Sequence, residues 1–272
     1  MPSRLLPALG PDAHRGPDRL HLRQDPRSRR LSSPFSVQLS VVLPTYNERD
    51  NIVPLIERIR ASLANVSHEV LVVDDASPDG TADAVEERFR DQPEVRVLRR
   101  RADERGLRTA IQEGLDQSMG EAVLWMDCDL SMPPEKIPEL YAALAASDVA
   151  IGSRYVAGGR DAREDVPLHR ACSRLLNVFA QAVLGSAVLD YTSGFVCARR
   201  RVVQEVRLAG DYGEYCIDFL HRARKLGFRI VEVPYTNTAR ASGESKTATS
   251  AVGLVRRGVV YGAAIVRLAL TH

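Results

Sequence analysis

Cysteine is scarce in this chain of 272 residues, and Cys128, Cys172, Cys197 and Cys216 show no C-x-x-C spacing. That excludes a sequence-evident zinc site or disulfide framework and fits a reducing cytosol. Long apolar runs are absent too. No stretch offers the roughly 18 to 20 nearly uncharged residues that span a bilayer, and none resembles a secretory leader. An excess of one charge is also missing: 37 basic residues face 35 acidic ones, so the net charge of +2 demands no nucleic-acid partner. Lysine is rarest among the charged residues, with Lys136, Lys225 and Lys246 the only three.

What is present falls into three parts. Residues 1–38 carry seven Arg and three Asp, are rich in Pro and Ser, and lack apolar periodicity. They are predicted to form a disordered basic tail; their acids and prolines argue against a mitochondrial targeting peptide. From residue 39 to 250, short β-rich runs alternate with helical stretches. Strands are predicted at 39–43, 69–73, 94–98 and 121–126, and helices at 50–63, 80–90 and 104–118. Such alternation predicts an α/β domain, a mainly parallel sheet flanked by helices. The last part, 251–272, is interrupted by Arg256, Arg257 and Arg267. At 100° per residue these fall within an arc of about 100°, with apolar residues on the remainder, an amphipathic helix suited either to a membrane surface or to packing on its own domain.

The most informative local feature is Asp127-Cys128-Asp129, placed at the end of the apolar run Ala122-Val123-Leu124-Trp125-Met126. Open α/β sheets hold ligands at the carboxyl ends of their strands. Two carboxylates two residues apart there can grip one hard cation, Mg²⁺ or Mn²⁺, and with it a diphosphate. A solvated turn is the plainer alternative. A second buried strand ends in Asp74-Asp75, so two strands deliver carboxylates to one edge. The first leads into Pro44-Thr45-Tyr46-Asn47-Glu48, where Tyr46 is suited to stack on a base and Glu48 to accept from a sugar or base donor. Equally, that loop is a Pro-initiated turn with a helix-starting acid. Cys128 reads as a small strand-end filler rather than a nucleophile.

These motifs stand in a particular order. They are followed by Gly152-Ser153-Arg154-Tyr155, Thr192-Ser193-Gly194-Phe195 and Gly243-Glu244-Ser245-Lys246. In this order, over about residues 39–247, the chain resembles the family 2 glycosyltransferases, and within them the dolichol- or polyprenol-phosphate mannose synthases. The resemblance implies a GT-A, Rossmann-like fold that transfers mannose from a nucleotide sugar, GDP-mannose, to a polyprenyl or dolichyl phosphate, inverting the anomeric carbon. It implies that Pro44, Tyr46, Glu48, Val73, Asp75 and Cys128 line the donor pocket. Asp127 and Asp129 would handle the metal and diphosphate, and Arg154, Arg240 and Lys246 the phosphate groups, with Asp129, Arg240 and Lys246 at the chemistry. Lys246 would sit on a small, polar, lid-like stretch at 237–250.

Three positions depart from the pattern. Ser131 stands where relatives carry a longer Gln of the metal shell, so water is expected to complete the coordination. His169 stands where an Arg commonly precedes the acceptor-site Ser173, with Arg170 adjacent, and these three are the candidate acceptor-phosphate contacts. Gly106-Leu107-Arg108-Thr109 adds a charge near the sugar. These departures keep open a UDP-sugar donor such as UDP-glucose, or a catalytically impaired subunit that binds a nucleotide sugar. Without spanning helices, the enzyme is expected to be cytoplasmic and peripheral at the inner face of a membrane, with room for a separate membrane-anchoring protein.

Overall fold

The first strand, β1 (Leu39–Thr45), shows why the sheet forms: Leu39, Val41 and Leu43 enter one apolar core while Val42 enters the other. A strand apolar on both faces must be covered on both faces, which is the condition for a parallel sheet. The computed structural model describes residues 37–163, 167–210, 213–240 and 251–271, all within one unit, Phe35–His272.

After β1 come α1 (Arg49–Ser62), β2 (His68–Asp74), α2 (Thr81–Arg88), β3 (Val95–Arg99), α3 (Leu107–Gln117) and β4 (Ala122–Trp125), each near its predicted place. The helix predicted from 104 begins only at Leu107, after a separate 3₁₀ turn at Ala102–Glu104. The chain continues through α4 (Ile137–Ala143), β5 (Val149–Ser153), β6 (Arg160–Asp161), α5 (Pro167–Leu184), β7 (Val196–Arg199), α6 (Arg200–Glu205), α7 (Tyr215–Lys225), β8 (Ile230–Pro234), β9 (Thr236–Asn237) and α8 (Ala251–Thr271).

Seven strands make one sheet in the order β3-β2-β1-β4-β7-β5-β8, and β6 pairs with β9 beside it. Only β7 runs antiparallel to its neighbours β4 and β5. Because β1 pairs with β2 on one side and β4 on the other, the order reverses at β1, and a crevice opens beyond the carboxyl ends of these strands. Gly114 lets α3 lie close over this region: a Cβ there would fall onto Val42 Cγ1.

Both ends of the chain bear on the predictions. Residues 1–36 of the predicted tail lie outside the described residues, but Gln38 already belongs to the fold, donating its N–H to the Ser67 carbonyl at 2.8 Å. Helix α8 uses two faces. Ala264, Ile265 and Leu268 are buried in the domain, whereas Val259, Val260, Val266 and Leu270 are exposed. Packing on its own domain therefore accounts for one side of the helix, with Ile265 in the core, while the other side stays exposed. Among the described residues, no helix is long and apolar enough to cross a membrane.

Candidate active site

Among the described residues, three without the freedom of glycine adopt left-handed backbone: Asn47 (φ 54°), Ala76 (φ 55°) and Leu130 (φ 62°). Each lies in the loop directly after β1, β2 or β4. Backbone strain of this kind persists where surrounding structure imposes it, commonly around ligand sites. Here Asp74 supplies part of the restraint, accepting from Thr45 Oγ1 at 3.1 Å and from the Ser77 N–H at 2.9 Å.

The three loops border a cavity of about 480 Å³, of the size that small-molecule sites occupy. Its lining includes Pro44, Tyr46, Glu48 and Asp75 from the first two loops, Asp127, Cys128, Asp129 and Ser131 from the third, which we call its floor, and Arg154, Arg240 and Tyr261 from later in the chain. Most residues singled out in the sequence therefore meet in one place, although their partners differ from expectation in several cases.

Asp129 is buried. Its Oδ1 accepts the Ser131 N–H at 3.0 Å, and its Oδ2 lies 3.1 Å from Arg240 Nε. Burial pushes the Asp127 carboxyl up to about 6, and the charge of Asp129 adds to this, while Arg240 acts in the opposite sense. A close pair of carboxylates that resists full ionisation is a site that gains from a cation. Among the described residues no group of three or more His, Cys, Asp or Glu converges on a metal position. Two carboxylates nonetheless fit Mg²⁺ or Mn²⁺, since such ions are held by one or two protein carboxylates plus substrate phosphates and water. Ser131 lines the floor, and its carbonyl accepts the Thr238 N–H at 3.0 Å, which fastens the segment after β9 to the acidic turn.

Asp75 forms a buried ion pair with Arg100 and accepts the Gly106 N–H at 2.9 Å. Both oxygens are engaged in fixing the start of α3. Glu48 precedes α1 and accepts from Asn51 Nδ2 at 2.8 Å. Val73 does not line the cavity: strand alternation turns its side chain into the core beside Val42. Cys128 lines it but donates through Sγ to the Pro44 carbonyl at 3.3 Å, tying β4 to β1.

Arg154, expected on phosphate, has a different partner. The structure gives its fork to Asp190, with Nε at 2.8 Å and Nη2 at 2.7 Å, in a pair almost wholly buried. His169, Arg170 and Ser173 lie together on the first turns of α5, outside the cavity lining. Ser173 Oγ is 3.1 Å from the Tyr155 hydroxyl, and Arg170 Nη1 reaches the Arg163 carbonyl at 3.4 Å. Lys246 and the Gly243-Glu244-Ser245 motif lie outside the described residues.

Several lining residues were not singled out in the sequence, Arg105 and Tyr261 among them. Arg105 places its guanidinium 4.6 Å from the Tyr46 ring centre and donates to the carbonyls of Asp75 (2.8 Å) and Ala76 (2.7 Å). Its position beside the Gly106 turn was the available signal. Tyr261 enters from α8, and no local pattern in the sequence reveals that reach.

A Rossmann-like sheet whose crevice carries paired carboxylates, arginines and a cleft of this size is the layout of a GT-A transferase. The comparisons agree. The family model Glycosyl transferase family 2 matches residues 40–207. A dolichol-phosphate mannosyltransferase of Pyrococcus furiosus is 39% identical over 217 residues, covering 77% of this chain and 59% of that protein. The polyprenol monophosphomannose synthase of Mycolicibacterium smegmatis is 38% identical, covering 77% and 81%. The undecaprenyl-phosphate mannosyltransferase of Micrococcus luteus is 33% identical, covering 80% and 90%. Among solved structures, glucosyl-3-phosphoglycerate synthase of Mycobacterium tuberculosis, with Mn²⁺, UDP and phosphoglyceric acid, superposes with a TM-score of 0.65 at 21% identity, covering 85% and 78%. The chain belongs to glycosyl transferase family 2. It spans about three fifths of the Pyrococcus relative and most of the other two.

Proposed function

We propose that this chain is an inverting glycosyltransferase that moves mannose from GDP-mannose onto a polyprenyl phosphate, with Mg²⁺ or Mn²⁺ held by Asp127 and Asp129. The observation that carries the proposal is the carboxylate pair on the floor of the cavity, facing Arg240. Three relatives whose names join mannose to a polyprenyl or dolichyl phosphate support the substrate classes.

The residue types suit the reaction. Displacement at an anomeric carbon builds positive charge on the sugar and negative charge on the departing diphosphate, so a cation at the diphosphate favours the transition state over the ground state. The bound ion supplies that neutralisation as a Lewis acid. Arg240 and Lys246 add positive charge. Tyr46, under Arg105, and Glu48 wall the nucleoside end, with Pro44 and Cys128 beneath. Asp75 acts through Arg100 and Gly106 as a positioning residue, and Arg154 through Asp190 in the same way. An acceptor that is already an ionised phosphate needs scarcely any general base, so orientation contributes much of the acceleration.

Ser173, His169 and Arg170, on the first turns of α5, are the proposed acceptor-phosphate contacts. Helices α5 and α8 pack together, and neither contains an acidic residue. Between them they expose Leu168, Leu175, Val178, Val259 and Leu270. Arg170, Arg174, Arg256 and Arg267 belong to the same two helices. An apolar face edged by arginine suits the interface of an anionic membrane and supports peripheral attachment at the cytoplasmic side. A separate anchoring protein fits the same face.

The proposal is tested by following nucleotide diphosphate release with polyprenyl phosphate present or omitted. Acceptor-dependent release of GDP from GDP-mannose is expected. The sequence leaves open a UDP-sugar donor because of Arg108, but Arg108 is not among the residues lining the cavity, and its buried Nε has no hydrogen-bond partner among the described residues. Acceptor-dependent release of UDP alone would select that donor.

A further inference from the structure

Both oxygens of Asp129 are already engaged, by the Ser131 N–H and by Arg240 Nε, with only 6% of the Asp129 side chain exposed. An ion held by Asp127 and Asp129 needs one of those oxygens as a ligand. The Ser131 bond belongs to the turn that presents the carboxylate, so Oδ2 is the oxygen that can change partner. A dication and a guanidinium compete for it, because like charges at contact distance repel in a buried site.

The geometry points to Arg240 as the residue that occupies the cation position at Asp129 before the divalent ion arrives, so that ion and guanidinium compete for one carboxylate oxygen. This inference rests on the metal site proposed above and concerns how that site is loaded. Without a cation, two adjacent carboxylates would stand uncompensated on the cavity floor, and Arg240 supplies the balance. Its backbone need not move in the exchange. Thr238, two residues earlier, is bonded to Ser131, so the segment carrying Arg240 is fastened to the turn carrying Asp129. A side chain that is 31% exposed has room to swing.

The displaced guanidinium remains beside the cavity, where a diphosphate offers it a new anionic partner. Nucleotide therefore stabilises the displaced position and favours ion binding, and by reciprocity the ion favours nucleotide binding. Loading becomes cooperative: the ion alone binds weakly because it must evict Arg240, and the ion with a nucleoside diphosphate binds well.

The test is titration of Mn²⁺ into the full chain without nucleotide, for the wild type and for Arg240→Gln, followed by GDP at saturating Mn²⁺. Arg240→Gln is expected to bind Mn²⁺ alone roughly tenfold more tightly, and GDP more weakly, so that coupling between the two collapses. Arg240→Lys is expected to fall between. In the wild type, the Arg240 Nε–H resonance should shift on adding Mg²⁺, a reading that needs no variant to fold. Unchanged or weaker Mn²⁺ binding in a folded Arg240→Gln protein, or an Nε–H signal unmoved by saturating Mg²⁺, would overturn the inference. Neither reading depends on sugar transfer, so a wrong acceptor or donor would leave both intact.

Discussion

Asp190 holds Arg154 through three hydrogen bonds: Oδ2 accepts from the backbone N–H at 3.1 Å and from Nε at 2.8 Å, and Oδ1 from Nη2 at 2.7 Å. The guanidinium also lies 5.2 Å from the Tyr155 ring centre, and Tyr155 meets Ser173 on α5. One buried pair thus connects the end of β5 to the helix proposed to receive the acceptor. Removing Asp190 leaves the buried Arg154 charge with only Asp161, 3.9 Å from Nη1, to balance it among the described residues. Asp190→Ala is expected to cost about 3–5 kcal/mol of folding stability, read from the denaturant midpoint. A loss under about 1 kcal/mol would show that Asp161 or water compensates Arg154 in its place.

Asp127 gives a stability prediction with a definite sign. Its carboxyl is raised from 3.8 to about 6 in the folded protein, by burial first and Asp129 second. Between those values the folded state keeps a proton that the unfolded state has released, so stability falls as pH rises through this window and stays lower above it. Asp127→Asn should therefore be more stable than the wild type in metal-free buffer at pH 7, while losing metal-dependent turnover. Thermal unfolding of the two proteins at pH 4 and pH 7 checks this: the difference should appear at pH 7 and fade at pH 4.

The same carboxyl sets a pH limit on activity. Protonated Asp127 cannot hold an ion, so turnover at low Mg²⁺ should decline as pH falls through about 6. Raising Mg²⁺ should shift this limb to lower pH, because the ion and the proton compete. A limb that ignores Mg²⁺ concentration would assign it to another group.

The exposed face of α5 and α8 predicts where lipid is met. Leu270 is 81% exposed and Val259 66%. Val259→Glu with Leu270→Glu should weaken flotation with anionic vesicles by an order of magnitude or more while leaving activity in detergent near wild type. Equal flotation would move the contact elsewhere.

Much of the site was legible because its acids come directly after runs that are buried on both faces. The runs at 39–43, 69–73 and 121–126 read as buried strands, which places the residues at their carboxyl ends at a sheet edge. The second half was less legible. In β5, Val149–Ser153 includes Gly152, and β7 has four residues, so neither shows a period long enough to read. Partners joined only by packing were hidden: nothing local in the sequence pairs Arg154 with Asp190, Asp75 with Arg100, or brings Tyr261 to the cavity. Val73 was misplaced for a simpler reason, since the residue before two acids on a strand alternates into the core.

The central claim is tested most directly by transfer of radiolabel from GDP-mannose into organic-extractable polyprenyl phosphate, with Mg²⁺ or Mn²⁺ and again after chelation. The account predicts labelled lipid that disappears with chelator and with Asp129→Asn. Labelling that survives both would contradict the carboxylate-held ion, and no labelling beside measurable binding of GDP would contradict the proposed transfer.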